Sequence, residues 1–100
     1  MATVYVSYVN FAITGGDGLP AIVARGEGAR SEVITSSGTS AQGGMTATGN
    51  QVAIVYCGTA VVVNTGANPT AALATGVYVP AALPYSIGIR NGHKLAVIDA

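Results

Sequence analysis

One hundred residues with zero formal net charge, of which 50% are hydrophobic and 8% charged, set narrow limits, since an ordinary soluble domain carries about 25% charged residues. A chain of this length buries roughly two-thirds of the surface it exposes when unfolded, so a single domain is expected without a disulfide or metal staple. The only basic residues are Arg25, Arg30, Arg90 and Lys94, too few to neutralise a useful row of phosphates, which excludes nucleic acid as an expected partner.

Hydrophobicity here does not mean a membrane span, because every apolar run is broken well short of about 18 residues. The opening MATVYVSYVN has neither a basic start nor an unbroken apolar stretch, so no secretory signal is expected. Cys57 is the only cysteine, and a lone thiol rules out a disulfide within the chain. With little self-repulsion between copies, an assembled state is the expectation.

In chain order, short β-branched runs alternate with Gly-rich turns, and no stretch keeps helical spacing without a Gly or Pro. The expected strands cover residues 4–13, 21–24, 32–35, 51–57, 60–64, 77–79, 85–89 and 93–98. Eight short strands predict an all-β fold, a single small antiparallel β-sandwich or jelly-roll-like barrel. Along TVYVSYVNFAI the apolar positions change parity near Ser7 or Tyr8, as at a β-bulge or where a strand passes to another sheet or subunit. Residues 1–13 therefore read as a candidate N-terminal arm.

Residues 26–31, GEGARS, lie in a stretch where Arg25, Glu27, Arg30 and Glu32 gather half of all charged residues. The stretch lacks the third glycine and the βαβ setting of a dinucleotide fingerprint. It reads either as a solvated hairpin end or as a charge pattern that sets register with a neighbouring subunit. Residues 36–50, SSGTSAQGGMTATGN, are uncharged and rich in Ser, Thr and Gly, the composition of a flexible or functional loop. In YSIGIRNGHKLAVI a three-residue loop, Arg90-Asn91-Gly92, would pair Ile89 with His93, Ile87 with Leu95 and Tyr85 with Val97. That register gathers the large apolar residues other than Ile98 on one face.

No constellation for chemistry emerges. His93 is the sole histidine, and Asp99 lies about 20 Å along the same strand, beyond any hydrogen bond. One His, one Cys and four scattered acids show no metal-ligand spacing. Cys57 shares a strand face with Ala53 and Val55 and reads as a small packed residue. No cofactor is implied, and an enzyme is not expected.

The order strand, GANPTA, small-residue excursion, YVPA, and closing strand KLAVI resembles small β-sandwich virion proteins of tailed bacteriophages, the head decoration or capsid cement proteins. The resemblance covers residues 51–100 and rests on Gly66, Asn68, Pro69, Thr70, Pro80, Gly92 and KLAVI. Where many such proteins place a glycine two residues after the proline of the VPA-like turn, this chain has Ala82. The resemblance implies a non-enzymatic protein that sits on the capsid surface as a homotrimer, with the major capsid protein as its partner. Under it, the candidate subunit or capsid contacts are Tyr5, Tyr8, Arg25, Glu27, Arg30, Glu32, Asn68, Pro69 and Tyr78, and the segments expected to make contacts are residues 3–10, 36–50 and 66–82. The alternative is a glycan-binding or tail- or fibre-associated sandwich, in which tyrosines supply the stacking platform.

Overall fold

A computed structural model describes residues 2–14, 20–49 and 51–100, with side chains described for residues 2–10, 28–49 and 51–100. Among the described residues the chain is all-β and forms eight strands: β1 (Ala2–Thr14), β2 (Pro20–Ser36), β3 (Ala41–Gln42), β4 (Gln51–Cys57), β5 (Val61–Gly66), β6 (Val77–Val79), β7 (Tyr85–Ile89) and β8 (Lys94–Asp99). They make two four-stranded antiparallel sheets, β2-β1-β4-β7 and β3-β8-β5-β6. These pack as a small β-sandwich.

The core follows from alternation. Val4, Val6, Tyr8, Ile34, Ala53, Val55, Cys57 and Ile89 of the first sheet meet Val61, Val63, Val79, Leu95 and Val97 of the second. Ala47 fills in from the segment before β4. Half of these residues are valines, and with Ile34 and Ile89 most are β-branched, which suits a pleated surface and loses little rotamer freedom on packing. The expected face for Cys57 holds: Ala53, Val55 and Cys57 are all fully buried.

Two sequence expectations are corrected. The strands expected at 21–24 and 32–35 are one strand, β2, so residues 26–31 are not a hairpin end. Between the pairs Tyr8↔Arg30 and Asn10↔Arg25, β1 advances by two residues while β2 advances by five. The surplus is a large bulge in which Gly28 takes a left-handed φ of 76°, a conformation costly for residues with a Cβ. Opposite it the consecutive Tyr8 and Val9 are both buried. The parity change therefore reflects a bulge, and the bulge lies on the partner strand; β1 itself pairs with β4 without interruption from Val4 to Asn10. Residues 3–10 thus form a central strand with both edges paired within the chain. The side chains of Phe11 and Ile13, part of the same parity reading, lie outside the described residues.

The second correction concerns the C-terminal hairpin. β7 pairs with β4 in the first sheet and β8 with β5 and β3 in the second, so Ile87 and Leu95 belong to facing sheets. Residues 90–93 form a corner, closed by the His93 N–H on the Arg90 carbonyl at 3.0 Å. Gly92, at φ 80°, supplies the left-handed third position of that four-residue turn.

Candidate functional site: an uncharged tyrosine face and a pinned polar cluster

The two sheets treat their outer faces differently. Over the second sheet, residues 66–76 fold back and cover it, burying Val62, Ala96, Pro69 and Ala71. Outward-pointing polar side chains fasten the cover. Gln42 Nε2 donates to Asn68 Oδ1 at 2.8 Å and to the Pro69 carbonyl at 2.7 Å. Asn64 Nδ2 donates to the Thr70 carbonyl at 3.1 Å, and the Ala71 N–H donates to Ser40 Oγ at 2.9 Å. Gly76 lies so close to β5 that a Cβ there would stand 2.5 Å from the Val63 carbonyl oxygen. Asn68 and Pro69, two expected contact residues, are thus committed to this cover, while Tyr78 on β6 is 58% exposed beside it.

The first sheet has an open outer face. Tyr5 stands directly opposite Val33 on one side and Tyr56 on the other, and all three are exposed, at 54%, 60% and 37%. Single exposed apolar residues are ordinary, but three in register across three neighbouring strands make a contiguous patch. Its neighbours on the same face, Thr3, Ser7, Ser31 and Thr35, are uncharged. Sequence reasoning found Tyr5 but missed Val33 and Tyr56. They lie 28 and 51 residues further along the chain, and only strand register brings them together.

Tyr8, Arg30 and Glu32, also expected as contacts, come together on the inner side. The Tyr8 hydroxyl donates to Glu32 Oε2 at 2.8 Å. Glu32 Oε1 accepts the Gly44 N–H at 2.9 Å and the Met45 N–H at 3.4 Å. Arg30 stands over the Tyr8 ring, 5.9 Å from its centroid, and donates to the Thr46 carbonyl at 2.6 Å and to Gln51 Oε1 at 3.3 Å. Gln51 Oε1 also accepts the Thr48 N–H at 2.9 Å. Burial, then the hydrogen bond to Glu32 and the charge of that carboxylate, hold the Tyr8 hydroxyl well above the usual tyrosine range, against a smaller opposing effect of Arg30.

The cluster therefore pins the segment before β4 to the first sheet. The same segment is bonded on its other side to the second sheet and the corner: the Gly43 N–H to the Leu95 carbonyl, the Ala47 N–H to the His93 carbonyl, and the Gly49 N–H to Asn91 Oδ1. Residues 36–49 are in this way a strap across the open end of the sandwich, and they contain β3. Arg25 and Glu27 are placed in β2 by their backbone, and their side chains lie outside the described residues.

Catalytic geometry does not converge on His93, which occupies the corner, whereas Asp99 accepts from Ser36 Oγ at the far end of β8. Among the described residues no three His, Cys, Asp or Glu side chains gather as metal ligands, and no buried side-chain N or O lacks a hydrogen-bond partner. What the arrangement offers, among the described residues, is an open, uncharged, tyrosine-bearing row on a strapped sandwich. No known family, curated protein or solved structure matches the chain.

Proposed function

We propose that the chain is a non-enzymatic structural virion protein, a decoration or cement protein that binds the assembled head of a tailed bacteriophage as a homotrimer. Its partner is the major capsid protein, and its place is the outer surface of the virion. The observation that carries the reading is the open Val33–Tyr5–Tyr56 row, and the resemblance of residues 51–100 gives it direction.

Tyrosine brings a large apolar area with few rotors and a polar tip, which is why it recurs at the energetic centres of interfaces. A neutral face avoids the cost of stripping water from charges when it meets a shell. Binding the assembled shell and not its free subunits stabilises the shell by mass action. Three linked copies gain further from effective concentration.

The test is co-sedimentation of the purified protein with empty phage heads. Wild type is expected to pellet with the shells and Tyr5→Ala or Tyr56→Ala to stay in the supernatant. Wild type that remains soluble at saturating shell concentration overturns the reading.

A second reading, glycan binding, is favoured by the Tyr5–Tyr56 pair, since two exposed tyrosines directly opposite on neighbouring strands offer aromatic area for sugar stacking. A blank glycan array with wild type removes it.

A further inference from the structure

We infer that copies of this chain join edge to edge through the first sheet, with β2 of one copy pairing against β7 of the next, and that three such contacts close a ring. The contact deepens the trimeric cement reading and takes its number of copies from it.

Four strand edges are open among the described residues. Those of the second sheet are blunted by length, with two residues in β3 and three in β6. The first sheet is edged by β2, of 17 residues, and by β7, of five, each paired on one side only. Soluble domains guard such edges with lysine, proline, bulges or inward charge, because an open row of N–H and C=O groups templates another strand.

The bulge guards the middle of β2, but the run from Ser31 to Ser36 carries no lysine and no proline. Its one charged residue, Glu32, is turned inward to Tyr8 and the strap. What it presents outward is Ser31, Val33 and Thr35. β7, YSIGI, presents Ser86 and Gly88 and has no charge within the strand.

The two edges match in charge, both being neutral, and in direction. β2 is antiparallel to β1, β1 to β4 and β4 to β7, so β2 and β7 run in opposite senses. Joining them in neighbouring copies forms an antiparallel ladder, the stronger kind of pairing. The occupant of each edge is therefore the other edge of a second copy. Because the two edges differ, the contact is head to tail; such contacts close a ring where the rotation between copies divides a full turn, and the three copies of the cement reading set it at a third of a turn. Because the paired strands stay aligned across each contact, the ring axis runs roughly along the strands and the three open faces are arranged around it. A five-residue ladder is small, and closing the ring lets each of the three contacts hold the other two in place.

The experiment joins sedimentation equilibrium with amide hydrogen exchange on the intact chain. Wild type is expected to be a trimer with slowed exchange over residues 31–36 and 85–89. Thr35→Lys or Ser86→Lys, both at exposed side chains, are expected to abolish the trimer and release both segments, because a ring needs both edges. Thr35→Lys combined with Ser86→Glu is expected to restore it, an outcome that simple misfolding of the single variants does not give.

A monomeric wild type, a dimer protected on β2 alone, or a trimer in which these amides exchange as fast as in the lysine variants overturns the contact. Shell binding separates the two proposals. A wild-type monomer that still pellets with empty heads removes the ring and the trimer and leaves shell binding, while a protected trimer that ignores heads removes shell binding and leaves the ring.

Discussion

Removing the Glu32 clamp from the loop side gives a sharp test of how the strap is held. Gly43 approaches Glu32 so closely that a Cβ would lie 2.6 Å from both carboxylate oxygens, too near for any real contact. The carboxylate cannot simply swing away, because it accepts from Tyr8, Gly44 and Met45. Gly43→Ala should therefore expel it, at a cost worked from the bonds lost. The Tyr8 hydroxyl is on a fully buried residue and loses a charge-assisted bond that water does not replace, about 1.5–3 kcal/mol. The exposed Gly44 N–H is rehydrated and contributes little. Glu32→Ala removes the same bonds and should cost about 2–3 kcal/mol. It also removes the obstacle, so Gly43→Ala made in the Glu32→Ala background should be nearly free, leaving nearly its whole wild-type cost, about 1.5–3 kcal/mol, as the coupling in the double-mutant cycle. Gly44→Ala, where a Cβ meets nothing within 4 Å, is the matched control. Urea unfolding followed by tyrosine fluorescence reads all four, since the chain has five tyrosines and no tryptophan. A loss of 2 kcal/mol moves the midpoint by about 1–2 M. Protein concentration must be held constant, because assembly also shifts apparent stability. If Gly43→Ala costs the same with and without Glu32, the clamp is not what holds the strap.

Tyr8 ties stability to alkaline pH. Its pKa is raised in the folded state, so its contribution is fully present below the unfolded tyrosine value of about 10 and is lost as pH rises past that toward the folded value. Wild type should lose stability between pH 9 and 11 by roughly 1 kcal/mol more than Tyr8→Phe; parallel pH profiles from chemical denaturation would refute this. Ala82 is the one non-glycine among the described residues with a positive φ, at 57°, and it holds the turn by donating its N–H to the Cys57 carbonyl at 2.8 Å. Ala82→Gly should relieve about 1–2 kcal/mol of strain and give back about 0.5–1 kcal/mol through unfolded-state entropy. The expected net is a small rise in Tm, and a fall in Tm contradicts it. Gly76→Ala meets both a φ of 130° and the Val63 carbonyl, and should cost at least about 2 kcal/mol. Gly58→Ala, in open space, should stay within about 0.5 kcal/mol of wild type, and calorimetry of the pair decides the matter.

Fold class and several strands were legible because they depend on local signals. The residues expected for β4, β6 and β7 coincide with the strands formed, each being a β-branched or aromatic run stopped by Gly, Pro or a charged turn. The hairpin assignment failed for a reason specific to sandwiches. Face alternation correctly put Ile87, Ile89, Leu95 and Val97 toward the core. Strands paired within one sheet and strands facing each other across two sheets give the same alternation, and only long-range pairing distinguishes them. The same limit hid the role of Arg30 and Glu32. A short run of mixed charge reads as solvated when its partners, Tyr8 and the strap at Gly44, Met45 and Thr46, lie 12 to 24 residues away.

The stretch GANPTAALATGVYVP, uncharged and threaded with turn residues, carries the step from fold to function. Had it lain free, both outer faces of the sandwich would compete as docking surfaces. Its first part is instead stitched over the second sheet by Gln42, Asn64 and Ser40, and the close seat of Gly76 against β5 leaves no room for it to lift without breaking packing. That cover protects one face and so leaves the first sheet as the broad open one, with the Val33–Tyr5–Tyr56 row across it. The first sheet also has the two longest open edges. A face that can meet a large neutral surface and edges that can meet another copy thus belong to the same four strands, so an edge contact would extend the face. Lysine at Thr35 or Ser86 should accordingly weaken shell binding along with assembly. Alanine at Tyr5, in the middle of the row and on the central strand β1, should weaken shell binding and leave assembly intact.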